Sequence, residues 1–304
     1  VEISKHSDKE IPIFPDYTNV TIPPNIAPLN FKLAGYAGEE ACVILESSDN
    51  SLTVGAQKGK FHIPAAKWKA LLQSARGKEI TATIAIKDGN EWVGYKPFHI
   101  RVANETIDSY LAYRLIEPGY TLWGEMGIYQ RNLENFDESP IIENKMTGQN
   151  CMNCHSFRMQ DPSQVLFHMR GTYPATYIAG NGKVEKLNTK TPQTISALVY
   201  PSWHPSGKYI AFTTNDTKQT FHSNDPNRIE VFDNASDVLV YDIEKHELIT
   251  TPLLYSKEAF ETFPTFSPDG RTLFFCTATT QEMPAGYDKV KYSLCSIGCD
   301  PETR

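Results

Sequence analysis

The chain has 304 residues, enough for two domains with separate cores, and its 40% hydrophobic and 21% charged content is ordinary for a folded globular protein. Its net charge of −7, from 29 basic and 36 acidic residues, argues against a nucleic-acid partner, because phosphate binding needs a concentrated basic surface. No run of about 18 apolar residues is present, so we expect no membrane span. Residue 1 is Val, which indicates a processed form or a fragment in which a signal peptide or lipid anchor would not be visible.

Residues 1–28 are rich in Pro and polar residues and predict an extended leader. Residues 29–103 contain short apolar runs separated by Gly, Ser, Asp and Asn, which predict strands. Within them, Pro64 followed by strong helix formers predicts one short helix, and an alternating run that ends in an Asp-Gly-Asn turn (88–90) predicts a hairpin. We interpret residues 29–103 as a small antiparallel β-sandwich domain of the immunoglobulin-like type.

Residues 104–164 predict a connector of different character. Its first part, residues 108–133, is dense in Tyr and Trp and is interrupted by Pro118-Gly119, and the polar stretch that follows is loop-like. So many aromatic side chains pack either between two domains or around a cofactor, and the sequence leaves both alternatives open.

An internal repeat follows the connector. The segment YPSWHPSGKYIAFTTN (200–215) aligns with FPTFSPDGRTLFFCTA (263–278), with matching Pro, Gly and Phe positions. Each copy predicts a strand, a Pro-Ser-Gly or Pro-Asp-Gly turn and a second strand, and further strands are predicted after each copy and at 175–187. The spacing from 200 to 263 is longer than the roughly 40–50 residues of a plain blade, so we predict an inserted loop at 215–236. Its acidic residues are best explained by solvation, with calcium binding as the alternative.

These copies resemble the TolB-type β-propeller repeat, whose blades carry a W-S-P-D-G-K-x-I-A-F core. The resemblance covers residues 165–304 and implies a mainly β protein that ends in a partial TolB-like propeller. Because a closed propeller has at least four blades, we expect the chain to be cut off at Arg304.

The segment Cys151-Met-Asn-Cys154-His155 matches C-x-x-C-H, the attachment signature of c-type haem. Each thiol adds to one vinyl group of the porphyrin, and the adjacent histidine becomes the proximal ligand of the iron. Two alternatives stay open: a redox-active C-x-x-C, for which the usual βαβ context is lacking, and a zinc site completed by Cys295 and Cys299. These two cysteines are otherwise explained as structural thiols or as a disulfide.

An iron bound by His155 has a sixth ligand or an open position. We predict His168 as that ligand, with Met169 and Met159 as alternatives; a Met ligand raises the iron potential, whereas two His ligands lower it. The predicted cofactor-binding residues are therefore Cys151, Cys154, His155 and His168, of which His155 and His168 bind the iron. No G-x-S-x-G, H-E-x-x-H, P-loop or dinucleotide motif is present, so no catalytic residues are predicted.

The order of β-sandwich, aromatic connector, NCMNCHSF and TolB-like blades resembles a group of exported bacterial proteins, of the Bacteroidetes type, that join one c-haem motif to a TolB-like propeller. The resemblance implies one covalent haem c, a periplasmic or envelope-anchored location, and a redox or envelope protein that docks on the propeller. It implies no particular reaction.

The expected function is therefore electron transfer, or a role as a haem-bearing accessory protein, rather than that of an enzyme. Two alternatives remain. One is a TolB-like interaction scaffold with a vestigial or disulfide-bonded C-x-x-C-H, and the other is a haem enzyme with an open sixth position.

Overall fold

The computed structural model describes residues 1–116, 124–226 and 229–300. Over these ranges the protein is mainly β, as predicted, with one α-helix and several small sheets, some of which resemble propeller blades. Of the aromatic connector, Pro118-Gly119, Tyr120 and Trp123 lie outside the described residues. Among the helices of the described ranges, none has the length and hydropathy that a membrane span requires.

The chain divides into two compact units. Unit 1 contains residues 1–113 and 129–140, and unit 2 contains residues 114–128 and 141–304. The domain boundaries that we expect from the sequence (28/29, 103/104 and 164/165) stay predictions.

Unit 1 combines a mixed sheet and a small antiparallel sheet with a single helix. The leader contributes three two-residue strands, of which β1 and β3 pair in parallel with β9 and β10. The strand order is β1-β9-β8-β10-β3 with β5 between β8 and β6, and β2-β4-β7 form the small sheet. The elements are β1 (Lys5–His6), β2 (Ile13–Phe14), β3 (Thr21–Ile22), β4 (Phe31–Leu33), β5 (Ala41–Glu46), β6 (Ser51–Gly55), β7 (Lys60–Phe61), α1 (Ala65–Ala75), β8 (Glu79–Asp88), β9 (Glu91–Gly94) and β10 (Phe98–Val102).

The helix α1 and the hairpin β8–β9 confirm the two local predictions for this unit. Pro64 precedes the first helical turn, where a missing N–H removes no hydrogen bond. The buried side chains Trp68, Leu71, Leu72 and Ala75 follow the i, i+3, i+4, i+7 spacing of one helix face. The indole N–H of Trp68 donates to a backbone carbonyl of the leader at 3.0 Å, so its polar atom is satisfied inside the core.

A three-stranded sheet follows in the order β11 (Tyr110–Ile116), β12 (Met126–Asn132) and β13 (Glu138–Glu143). The division between the two units falls within these strands. The region predicted as a loop-like connector therefore forms strands in its described part.

Unit 2 continues with three antiparallel sheets in which the strands pair in chain order. We number these sheets I, II and III in chain order. One cluster of buried apolar side chains joins sheets I and II, and a second joins sheets II and III. Sheet I contains β14 (Cys151–Phe157), β15 (Gln164–Arg170), β16 (Ala175–Gly180) and β17 (Lys183–Leu187); sheet II contains β18 (Val199–Trp203), β19 (Tyr209–Phe221), β20 (Ile229–Asp242) and β21 (Glu247–Ile249); sheet III contains β22 (Ala259–Phe266), β23 (Thr272–Thr279) and β24 (Ser293–Gly298).

The prediction of an inserted loop at 215–236 is wrong. Strands β19 and β20 pair along their whole length, out to Phe221 and Ile229, so the insertion lengthens a hairpin. The sequence gives no sign of this pairing, because its residues are polar. An exposed two-stranded ribbon does not require the alternation of apolar and polar side chains by which strands are predicted. Asp233 lies on β20 and accepts hydrogen bonds from two side chains of β19, at 3.0 and 2.8 Å.

Two buried carboxyl groups, Asp237 on β20 and Glu261 on β22, are each only 4% exposed. The hydroxyl of Ser256 donates to Glu261 Oε1 at 3.2 Å, whereas Glu261 Oε2 has no hydrogen-bond partner among the described residues. Burial raises the pKa of Asp237 to about 6. Burial also raises the pKa of Glu261 to about 7, and the nearby Asp237 adds to the rise. A carboxylic acid whose folded-state pKa is raised binds more protons folded than unfolded, so its ionisation destabilises the fold as the pH rises.

The Glu261→Gln substitution therefore increases the free energy of unfolding at pH 8, by on the order of 1–2 kcal/mol, because it removes a buried charge. It also flattens the loss of stability that we expect as the pH rises from about 4.5 to about 7. Urea denaturation followed by circular dichroism at pH 5, 6, 7 and 8 measures both effects. Glu282→Gln, at an exposed position of unit 2, is the matched control. A Glu261→Gln protein that is less stable than the wild type at pH 8 contradicts the prediction.

Candidate functional site

The C-x-x-C-H segment forms β14, the first strand of sheet I, and pairs with β15. A loop-like environment, predicted because the segment lacks apolar alternation, is therefore wrong for residues 151–157. Only Met152 of this strand is fully buried; it lies opposite Met169 and packs in an apolar cluster with Phe167. The segment 151–157 is held as a strand by its pairing with β15, which has many more buried side chains.

The motif contains a β-bulge. Strand pairing skips one residue between Asn153 and Ser156, so Cys154 and His155 together lie opposite the single residue Phe167. In a regular strand, side chains three residues apart point to opposite faces. A bulge redirects the side chains around it, so the direction of the second cysteine and of the histidine is set by this irregularity. Cys154 has φ 54°, in the left-handed region that residues with a Cβ rarely adopt.

The same bulge recurs in the first strands of sheets II and III. Tyr200 and Phe263, with the prolines that follow them, lie at the equivalent shifts in register, and their φ values are 51° and 53°. The second cysteine of the motif, Tyr200 and Phe263 therefore occupy one position of a threefold structural repeat.

The sequence predicts two copies of this repeat and, for the third, only its strand-turn-strand ending at 175–187. The prediction of the two copies rests on the glycine turns at Gly207 and Gly270, both of which have positive φ, and the turn after β14 has no glycine. The signal that identifies the third copy is the aromatic residue that ends the first strand: Phe157 corresponds to Trp203 and Phe266.

Both thiols of the motif are free and partly buried. Cys151 packs against the apolar cluster on one side of sheet I, and the backbone of Tyr200 lies close enough to Cys154 to lower the pKa of its thiol. Burial raises the pKa of both thiols, and the guanidinium groups of Arg114 and Arg170 partly offset this rise. Protonated thiols are the reverse of what a redox-active C-x-x-C needs, because disulfide exchange proceeds through a thiolate.

The histidine of the motif, His155, is partly exposed, and its ring packs edge-on against Phe157 with centroids 6.3 Å apart. His168, the predicted sixth ligand, lies opposite Asn153 on the neighbouring strand and is 4% exposed. The two histidines therefore lie on the two paired strands of one hairpin, His155 on β14 and His168 on β15.

The surroundings of His168 select one tautomer. Its Nδ1 lies 3.2 Å from the hydroxyl oxygen of Thr176, and that hydroxyl donates to the carbonyl of Leu198 at 3.2 Å. Because the Thr176 proton is used, we assign the imidazole proton to Nδ1, which leaves the lone pair on Nε2. Burial lowers the pKa of His168 to about 4, so the ring is neutral at pH 7. A neutral imidazole whose second nitrogen is held by a hydrogen bond is the usual state of a metal-binding histidine.

The two methionine alternatives differ in exposure. Met169 is buried in the apolar cluster with Met126 and Met152, which accounts for it as core packing. Met159 follows the motif strand in a short turn, with φ 49° and an exposed side chain.

The zinc alternative has no complete set of ligands in the ranges that the structure describes: no group of three or more His, Cys, Asp or Glu side chains there is placed to hold a metal ion. Cys295 and Cys299 are free thiols that pack against the cluster between sheets II and III. The structure accounts for them as structural thiols.

We expect His168 to remain uncharged from pH 8 to pH 5 in the metal-free protein, with its proton on Nδ1, since burial disfavours the imidazolium. Long-range ¹H–¹⁵N NMR of the histidine rings reports both protonation and tautomer, and His168→Gln assigns the signal. A titration midpoint near 6.5, or a proton on Nε2, contradicts the assignment. Because the unfolded chain takes up a proton that the folded chain does not, this histidine also lowers stability as the pH falls from about 6.5 towards 4.

Comparisons with known proteins identify no family. No family model and no curated protein matches the sequence. Among solved structures, a DUF4784 family protein from Bacteroides caccae aligns over 94% of this chain and 67% of its own, with 11% identity and a TM-score of 0.31. An oligogalacturonate lyase in complex with manganese aligns over 74% of each chain, with 12% identity and a TM-score of 0.27. The oligogalacturonate lyase of Vibrio parahaemolyticus aligns over 99% of this chain and 100% of its own, with 10% identity and a TM-score of 0.29. Similarities this low carry no argument about what the chain does.

Proposed function

We propose that the protein is an exported c-type haem protein that transfers electrons, or presents its haem to a partner, through one haem c bound by Cys151, Cys154 and His155. The observation that carries the proposal is the bulged strand β14, on which two free, partly exposed thiols and an imidazole occur together. When bound, the haem supplies a one-electron redox couple.

The residues present fit such a group. Covalent attachment needs two free thiols with a histidine beside them, and the carboxylate groups of the porphyrin need positive charge nearby. Arg114 and Arg170 lie close enough to act electrostatically on both cysteines, and both arginine side chains are exposed. The protonated, partly buried thiols are protected from oxidation until they are attached, because the thiolate is the reactive form.

We propose His168 as the second axial ligand. Its neutral ring, its Nδ1 contact with Thr176 and its position on the strand paired with the motif support this role. The side chain is almost fully buried, so binding an iron requires it to be uncovered on the Nε2 side. Met159 is exposed and is the alternative that needs the least rearrangement.

We further propose that unit 2 contains a partial TolB-like propeller and that unit 1 contains an immunoglobulin-like sandwich. The three equivalent bulges and the shared strand-turn-strand order support a blade repeat. A periplasmic or envelope-anchored location follows from the proposed haem attachment, which takes place outside the cytoplasm. A redox or envelope protein that docks on the blades is the proposed partner.

Covalent haem is the first test. Protein made in a host competent for cytochrome c maturation is expected to give a pyridine haemochrome spectrum that survives acid-acetone extraction. The double variant Cys151→Ala/Cys154→Ala is expected to lose the haem that stays with the protein after extraction, because neither thioether bond can form. The control variant Cys295→Ala, at another partly buried free thiol, is expected to retain it. Colourless wild-type protein with free thiols under these conditions contradicts the proposal.

The sixth ligand is tested on the haem-loaded protein by substituting each candidate. His168→Ala is expected to convert a low-spin spectrum into a high-spin one, because it removes an axial ligand, whereas Met159→Ala leaves the spectrum unchanged. The reverse outcome identifies Met159 as the ligand. A wild-type protein that is already high-spin and binds carbon monoxide contradicts the role of His168 and favours an open position.

A further inference from the structure

The three bulge positions are close neighbours in space. The first strands of the three sheets lie side by side, with β14 against β18 and β18 against β22. At the first junction, the backbone of Tyr200 lies beside Cys154, close enough to lower the pKa of its thiol. At the second, the rings of Tyr200 and Phe263 are 4.8 Å apart and inclined at 56°. The thiol and the two rings therefore form a continuous row, which we name the bulge row (Cys154, Tyr200 and Phe263).

The aromatic members of the bulge row are exposed: Tyr200 is 38% and Phe263 50% solvent-accessible. A backbone in the left-handed region costs a residue with a Cβ on the order of 1 kcal/mol, which glycine would avoid. The backbone conformation at Tyr200 and Phe263 is destabilising, and the limited burial of their rings offsets little of this cost. Strain at such positions is common where a side chain has a binding role.

The charged groups near the bulge row are the guanidinium of Arg170 and the carboxylate of Asp233, both of which act on Tyr200. The guanidinium of Arg170 acts electrostatically on Cys154, His168 and Tyr200, so it lies within reach of all three. A surface that offers aromatic rings, a thiol and an arginine together suits a flat, largely apolar molecule with a carboxylate at its edge.

We propose that Tyr200 and Phe263 form the apolar wall against which the porphyrin bound at Cys154 packs, with Arg170 facing one of its carboxylates. This inference rests on the proposed haem attachment and adds the residues that shield the haem from water. Removing apolar cover exposes the haem, and exposure favours the charged ferric form, so the wall raises the reduction potential.

The test uses haem-loaded Tyr200→Ala/Phe263→Ala, with Tyr200→Phe as the variant that keeps the ring. Phe221→Ala, which removes an exposed phenylalanine at the far end of β19, is the matched control. The double variant is expected to lower the ratio of reduced to oxidised haem at a fixed ambient potential at least threefold, about 30 mV for one electron. Tyr200→Phe and Phe221→Ala are expected to match the wild type, and circular dichroism checks that each variant is folded.

A second measurement does not depend on iron or on attachment. Metal-free protoporphyrin IX, titrated into the haem-free protein and followed by fluorescence, is expected to bind at least tenfold more weakly to the double variant than to the wild type or Phe221→Ala. If this variant does not fold, the single variants Tyr200→Ala and Phe263→Ala carry the comparison, each with a smaller loss in the same direction.

The outcomes separate the two proposals. Wild-type protein without covalent haem overturns the proposed function and this inference with it. Covalent haem whose redox ratio is the same in the wild type, the double variant and Phe221→Ala overturns the aromatic wall alone. The rings then face another occupant, such as further protein chain or a second copy.

Discussion

The packing of apolar side chains between successive sheets of unit 2 is the constraint on which the candidate site depends. Strand β14 has little hydrophobic content of its own, and Met152 is its only fully buried side chain. It is fixed because β15 contributes Leu166 to the cluster with sheet II, and Phe167 and Met169 to the cluster on the opposite face. Because side chains on both faces of β15 pack into a dense interior, the position of β15 is fixed. The polar strand β14 takes its position by pairing with β15. The C-x-x-C-H segment is therefore held in place by the neighbouring strand β15.

The bulge lies within the five-residue C-x-x-C-H motif, where two demands act on the same residues. Backbone pairing requires regular alternation, whereas a C-x-x-C-H motif requires both thiols and the imidazole to serve one group. One extra residue in the strand changes the side-chain directions locally and leaves the pairing intact on either side. The first strands of sheets II and III have the same irregularity with aromatic residues in place of cysteine. The motif thus occupies a position that the repeat already provides, which explains how it fits a sheet without a helix.

How far the sequence predicts this structure depends on how local each signal is. The helix after Pro64, the hairpin at 88–90 and the two glycine turns were predictable, because neighbouring residues specify them. The hairpin at 215–236 and the strand character of the motif were not, since cross-strand pairing of polar residues leaves no periodic pattern. The third repeat lacked the glycine that marks the other two. The bond of His168 to Thr176 arises from strand register, which no spacing in the sequence reveals. The identity of the haem ligands stays a prediction.

The leader of unit 1 has a consequence for behaviour in solution. Strands β9 and β10 both pair with β8 and would otherwise form an outer edge of the sheet, and the leader covers them with β1 and β3. Two-residue strands add few hydrogen bonds, although Ile13 of β2 and Ile22 of β3 belong to the buried core. The leader strands β1 and β3 cover strand edges that would otherwise be unpaired, and unpaired edges can pair with strands of other molecules. Because the first 22 residues cover these edges and place Ile13 and Ile22 in the core, we expect a protein that lost them to be less stable and more prone to self-association.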